Sequence, residues 1–258
     1  MKSTICNGLP RFQFPVLDGL PGLDHGIFTR QGGVSAPPFA SLNLGTVEGD
    51  RPADVEKNRQ SVAGCFANHT LIFVKQVHGT GVRTFTGGCM TDPAQAARKE
   101  GDALVSDIPG LLLGVKLADC QSVILFDPVR KVAANIHSGW RGSVANIIGR
   151  TVVVMTDTFA CRPADIFAGI GPSLGPCCAE FINYKKELPR HLWPYRDGRD
   201  HFDFWAVSRD QLQTAGIPKN NIETAGICTR CRTDLFFSYR AEGRTGRFAV
   251  VAGLAPGL

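Results

Sequence analysis

Apolar positions along the chain fall into short runs rich in Val, Ile, Leu and Phe, punctuated by Gly, Pro and Asp. Runs of this kind predict strands: Leu71–Val77, Ala103–Val105, Leu111–Leu117, Ser122–Phe126, Val132–Ile136, Ile166–Ile170, Ile222–Ile227 and Phe248–Leu254. The turn residues Asp127-Pro128 and Ile108-Pro109-Gly110 separate neighbouring runs closely enough for antiparallel pairing. Stretches of helical period are fewer. Asp54–Phe66 follows Pro52, Ser143–Phe159 is apolar on one face, and Ser208–Ala215 has Ser208 as N-cap with Gly216 and Pro218 as stops. Grouped strands with few helices between them predict an α+β fold, a layered α/β sandwich of mixed, largely antiparallel sheets with outer helices, over a doubly wound parallel sheet.

With 258 residues, 43% of them hydrophobic, the chain can bury a core that folds without disulfides, and it reads as a single domain over 1–258. The net charge of +5 is spread without a dense basic block. That distribution disfavours nucleic acid as a partner and suits a small anionic substrate. The first twenty residues lack a continuous apolar signal region and nowhere do 18 apolar residues run together, so a membrane partner is not expected and the cytoplasm is the expected compartment. Nine cysteines then read as reduced thiols, some of them candidate ligands. A monomer or homodimer is expected.

Candidate chemistry concentrates on His78 in KQVHG, Cys120 in KLADC and His137 in NIHSGWRG, each at the edge of an apolar, strand-like run. Separations of 42 and 17 residues exclude a local zinc-finger spacing. Catalytic zinc sites are assembled in this way, through tertiary folding of three protein ligands that leave a fourth position open. A bare cysteine where a strand leaves the core is otherwise a small hydrophobe, but His137 ends the next strand but one, so two strand ends can converge. His78 depends on the other two for its ligand role. After His137, Ser138-Gly139-Trp140-Arg141-Gly142-Ser143 reads as a glycine-bracketed turn into a helix, where backbone amides and Arg141 would attract an anion; the plain alternative is a tight turn with an exposed arginine.

The segments GDALVSDIPGLLLGVKLADCQSVILFDP, HSGWRG, KQVHG, HGIFTRQGGVS, SLNLG, GIGPSLGPCC and FFSYRAEGRTGRFAVVAGL, from His25 to Leu254, together resemble the YfiH-like laccase-domain family. The resemblance implies a compact α/β domain of mixed sheets with helices outside. It also implies a His-Cys-His zinc site at His78, Cys120 and His137, with copper the less favoured metal. The implied activity is phosphorolysis of adenosine, inosine and 5′-methylthioadenosine, with adenosine deamination as a second reaction. The chain departs from the family pattern at Leu117 (usually Thr), Gln121 (commonly Pro) and Ser138 (usually Ala); Leu117 and Gln121 are placed to line the pocket.

Other polar clusters extend the candidate site. Arg30, in Thr29-Arg30-Gln31-Gly32-Gly33, joins a glycine loop that could face phosphate or simply form a turn. Ser41 and Asn43 share one face if SLNLG is a strand, and the family motif lies at the pocket. Gln76, two residues before His78, is a candidate substrate amide. Asp102 and Asp119 are the carboxylates available for proton transfer, and capping is the commoner use of such residues. The Gly243–Arg247 tract reads as a hairpin turn before the last strand. Cys228 and Cys231, with Cys177 and Cys178, could form a second zinc site or a redox pair. Two rival activities remain open: a Cys-His hydrolase or amidase acting in peptidoglycan precursor editing, with Cys120 as nucleophile, His137 as base and Asp119 as orienter, and a copper-dependent polyphenol oxidase, for which six histidines are few.

Overall fold

The apolar runs assemble into two six-stranded sheets in a computed structural model that describes residues 1–87 and 92–257; Cys89 lies outside them. The first sheet runs, in spatial order, β1 (Lys2–Cys6), β2 (Leu9–Gln13), β3 (Leu23–Phe28), β12 (Phe248–Leu254), β7 (Leu111–Leu117) and β4 (Thr70–Phe73). The second runs β11 (Ile222–Thr224), β10 (Phe167–Ile170), β8 (Gln121–Asp127), β9 (Val132–Ser138), β6 (Ala103–Ser106) and β5 (Val82–Phe85). The pairs β4–β7, β5–β6 and β10–β11 are parallel and the rest antiparallel. The helices are α1 (Pro52–Ala63), α2 (Pro93–Arg98), α3 (Trp140–Val144), α4 (Ile147–Phe159), α5 (Tyr184–Glu187), α6 (Phe204–Thr214) and α7 (Tyr239–Glu242). The expected α+β sandwich with outer helices is the architecture observed.

Strand alternation explains the layering. One face of the first sheet carries Leu113, Val115, Phe248 and Val250 against Leu104, Ile124 and Phe126 of the second, forming the central core. The outer face of the second sheet packs Val105, Val123, Ala134 and Ile136 on Ile148, Val152 and Met155 of α4 and Leu212 of α6. The outer face of the first meets Leu42, Leu44 and Val62 of α1 and its preceding segment. Strands covered on both faces read as unbroken apolar runs, which is why β7 and β12 are so plain in the sequence. Between the sheets, Asn135 of β9 donates to the carbonyls of Leu113 and Val250, 2.8 and 2.9 Å away, fastening one sheet to the other.

Several sequence expectations need correction. Asp127-Pro128 does turn β8 into its antiparallel neighbour β9, with Asp127 accepting from the amides of Val129 and Arg130. The Ile108–Gly110 turn instead carries the chain from the second sheet to the first, so β6 and β7 are not partners. The strand expected over Leu71–Val77 ends at Phe73, and that over Ile222–Ile227 ends at Thr224. The helix expected over Ser143–Phe159 is two: α3 begins at Trp140, and Asn146, left-handed at φ 54°, breaks it from α4, whose amide at Gly149 it caps. Asparagine tolerates that conformation at low cost. Gly243–Arg247 is an irregular segment following α7, because the chain before it is helical and offers no strand to pair.

Candidate metal centre and substrate cavity

The site forms where the chain crosses between sheets. Between β7 in the first sheet and β8 in the second lie Ala118, Asp119 and Cys120; Asp119 takes φ 90° at the crossing. Antiparallel pairing of β8 with β9 sets Gln121 opposite Ser138 and Ser122 opposite His137, so Cys120 emerges beside His137. His78 arrives on the loop beyond β4. Its backbone amide donates to Asp102 Oδ1 at 3.0 Å, and the amide of Gly79 donates to Oδ2 at 2.7 Å. The potential ligand atoms of His78, Cys120 and His137 all lie within 4.8 Å of one another. The two imidazole rings meet edge to face with centroids 4.9 Å apart.

Asp102 is fully buried behind the histidines and is not on the cavity wall. His137 Nδ1 lies 2.8 Å from its Oδ1, which leaves Nε2 for the cluster. Burial alone would raise the Asp102 pKa, but the His137 contact and the Gly79 amide outweigh it and hold the carboxyl below its ordinary value. Burial likewise opposes charge on Cys120 and His137, yet each stabilises the other's ionised form. The thiol is pulled down to about 6 and the imidazole up to about 9. A thiolate beside two imidazoles, one of them oriented by a carboxylate, suits zinc as a donor set. The backbone leaves room for an ion as well: a Cβ placed on Gly139 would lie 3.1 Å from His78 Cδ2 and 3.2 Å from Cys120 Sγ.

The cluster opens onto a cavity of about 660 Å³. Its wall carries Lys75, Lys116, Arg141, Arg240 and Arg247 with Asp119 as the carboxylate, and the aromatic rings of Trp140, Phe181, Phe204 and Tyr239. Arg141 lies over the Trp140 ring, 4.2 Å from its centroid, and among the described residues no carboxylate pairs with it. Because α3 is a helix of only five residues, the helix-end contribution expected beside Arg141 is small, and the side chain itself supplies the charge. Burial, with help from Arg59, brings Lys116 down to about 8.

The remaining sequence candidates divide. Gln76 lines the cavity, but both ends of its amide are paired with the backbone of Lys116 at 2.9 Å, extending the ladder where β4 has already ended. Gln121 also lines it. Its Oε1 accepts from Ser208, whereas its buried Nε2 has no partner among the described residues. Leu117 instead points into the central core. Arg30 lies off the cavity: its guanidinium holds Glu242 at 2.8 Å and the carbonyls of Ala40 and Thr233, and stacks on Phe237. Ser41 and Asn43 are on irregular chain and also lie off the cavity. Ser41 binds Arg30 and Gly33; Asn43 binds Gly45, Asp50 and Arg247. Both fasten the segment that delivers Gly45, Thr46 and Val47 to the wall.

Asp119 reaches the wall, but its carboxylate accepts from Thr229, Ser238 and the Arg240 amide at 2.7, 2.7 and 2.6 Å. The carboxylate that touches His137 is Asp102, which corrects the orienter role expected of Asp119. Lys116, Arg240, Arg247 and the aromatic wall were missed by the sequence reading. Only FFSYRAEGRTGR, dense in arginine and aromatic residues, signalled part of it.

A family model described as multi-copper polyphenol oxidoreductase laccase matches residues 24–255. The chain belongs to this laccase-domain family. Among curated relatives, the purine nucleoside phosphorylase of Deinococcus radiodurans is 36% identical, the match covering 96% of this chain and 94% of that protein. Purine nucleoside phosphorylase YlmD of Geobacillus stearothermophilus is 34% identical over 88% of this chain and 89% of its own, and YfiH of Escherichia coli 34% over 86% and 89%. The solved structure of the Geobacillus YlmD superposes with TM-score 0.84 at 29% identity, covering 99% and 98% of the two chains. Bacillus licheniformis YfiH gives 0.81 at 32%, covering 90% and 92%. No described helix is long and apolar enough to cross a membrane.

Proposed function

We propose that this laccase-domain chain is a zinc-dependent purine nucleoside phosphorylase acting on adenosine, inosine and 5′-methylthioadenosine, with adenosine deamination as a second reaction. The observation that carries this reading is the continuity of one cavity from the His78–Cys120–His137 cluster to a basic and aromatic wall. The names of the relatives support the same reaction class.

In phosphorolysis, phosphate oxygen bonds to the ribose anomeric carbon as the bond to the purine nitrogen breaks and its electron pair leaves with the base. Arg141, with Arg240 and Arg247 lining the same cavity, holds phosphate for that attack, and the charge-assisted contacts keep the nucleophile oriented. Trp140, Phe181 and Phe204 offer the base an apolar wall. Asp119 positions Arg240 and the segment carrying Thr229. His78, Cys120 and His137 would hold the zinc, which supplies Lewis acidity toward a substrate oxygen or water.

Measurement of free base and sugar 1-phosphate from each nucleoside (ribose 1-phosphate, or 5-methylthioribose 1-phosphate from 5′-methylthioadenosine), with and without phosphate, alongside metal content, tests the proposal. Absence of phosphate-dependent base release from all three nucleosides overturns it. One observation favours a second reading: Cys120, His137 and Asp102 are ordered as a nucleophile, base and orienter. A covalent adduct on the Cys120 peptide during turnover of an amide substrate would establish that hydrolase instead.

A further inference from the structure

Outside the cavity, two segments bring four sulfurs together. Cys177 and Cys178 sit on the turn Gly175–Cys178, closed by the Cys178 amide on the Gly175 carbonyl, and Cys228 and Cys231 on a second turn, closed by the Arg232 amide on the Cys228 carbonyl. All four Sγ atoms lie within 4.8 Å of one another, with Cys231 at 3.7 Å from Cys177 and 3.6 Å from Cys178. A tetrahedral ion with Zn–S bonds of about 2.3 Å sets its sulfurs roughly 3.8 Å apart. A disulfide demands about 2.0 Å. An iron–sulfur cluster, with inorganic sulfides between its irons, spreads its cysteines wider than one ion does.

From this geometry we infer that Cys177, Cys178, Cys228 and Cys231 bind a single zinc ion in an all-thiolate site separate from the cavity cluster. Donors and cations gather beside two of the four sulfurs, Cys228 and Cys178. The Gly175 amide donates to Cys228 Sγ at 3.3 Å, and the Cys231 amide also reaches that sulfur. Arg230 reaches Cys178 Sγ, and Arg240 donates to the Cys178 carbonyl, so two cations lie beside a site whose four thiolates and one divalent ion sum to a double negative charge. All four positions belong to the protein, so no open coordination site is left and the role is structural. Binding releases the thiol protons to solvent, and the site empties as pH falls.

The clamp would tie the chain after β10 to the segment that supports the cavity. Beside the cysteines, the Thr229 amide donates to Ser173 and the Thr229 hydroxyl to Asp119, while Leu174 and Ala179 of the first segment line the wall. Zinc here therefore holds one side of the cavity without touching its contents.

The test uses full-length protein with His78→Ala, Cys120→Ala and His137→Ala combined, so that metal at the first cluster cannot contribute. Elemental analysis should find one zinc per chain in this variant, and none after Cys228→Ser and Cys231→Ser are added. Should the serine changes prevent folding, cobalt exchange into the triple variant decides the matter, the expected signature being the intense thiolate-to-cobalt absorption of a four-sulfur site. A metal-free triple variant that takes up no cobalt, iron in place of zinc, or thiols locked against alkylation as a disulfide would each overturn the assignment. Because these readouts do not involve nucleoside turnover, they stand apart from success or failure of the phosphorylase reading.

Discussion

Asp102 lies 2.8 Å from His137 Nδ1 and also accepts the backbone amide of His78, so a single buried carboxylate sets the attitude of both histidines. Asp102→Asn preserves shape but turns one acceptor into a donor facing groups that already donate. Metal affinity should fall roughly 10- to 100-fold, measured by competition with a chromophoric chelator. Unchanged affinity would mean that the histidines are held by packing alone.

Arg141 has no carboxylate partner among the described residues and rests on Trp140 at the cavity wall. Arg141→Ala should lower kcat/KM for phosphate by roughly 10- to 150-fold, the equivalent of about 1.5–3 kcal/mol for a charge-assisted contact. Deamination, which uses water, should lose far less. Equal losses in the two reactions would assign Arg141 to the nucleoside or to the wall.

Gln121 is 3% exposed, accepts from Ser208, and offers an Nε2 without a partner among the described residues where it lines the cavity. Gln121→Glu keeps the Ser208 acceptor and exchanges the donor for an acceptor. If Nε2 meets a nucleoside acceptor, nucleoside KM should rise roughly tenfold, in line with a lost hydrogen bond. A rise confined to phosphate KM, or none, would remove Gln121 from nucleoside recognition.

His25 is buried, and its Nε2 accepts the Phe14 amide at 2.9 Å; burial, its largest influence, lowers its pKa from 6.5 to about 4. The folded state therefore resists protonating it while the unfolded chain does not. The stabilisation is complete above pH 6.5 and declines as pH falls from there toward 4. Its size is on the order of 3 kcal/mol. Denaturant midpoints of wild type and His25→Gln should converge across that window, and parallel pH profiles would sink the account.

How far the sequence discloses the molecule depends on burial. β7 and β12 are covered on both faces, so all their positions but Lys116 are apolar and their ends match the sequence reading. β1, β2 and β5 lie toward sheet edges with half-exposed polar side chains, and Pro10 interrupts β2; their alternation is too weak to read. The break at Asn146 was hidden because apolar residues continue through it. His78, Cys120 and His137 are legible as a set from residue type and place together, since soft donors at the edges of apolar runs are uncommon. Lys116, Arg240 and Arg247 were not, because ordinary cations acquire meaning only when distant segments bring them to one cavity.

The cluster draws His78 from beyond the first sheet's edge strand, His137 from the second sheet, and Cys120 from the link between them. A ligand grasped by all three works as a clasp across the seam of the sandwich. Its loss through the cavity should loosen the seam at that end, and amide exchange in the cluster-side ends of β7 and β9 should quicken when it is removed.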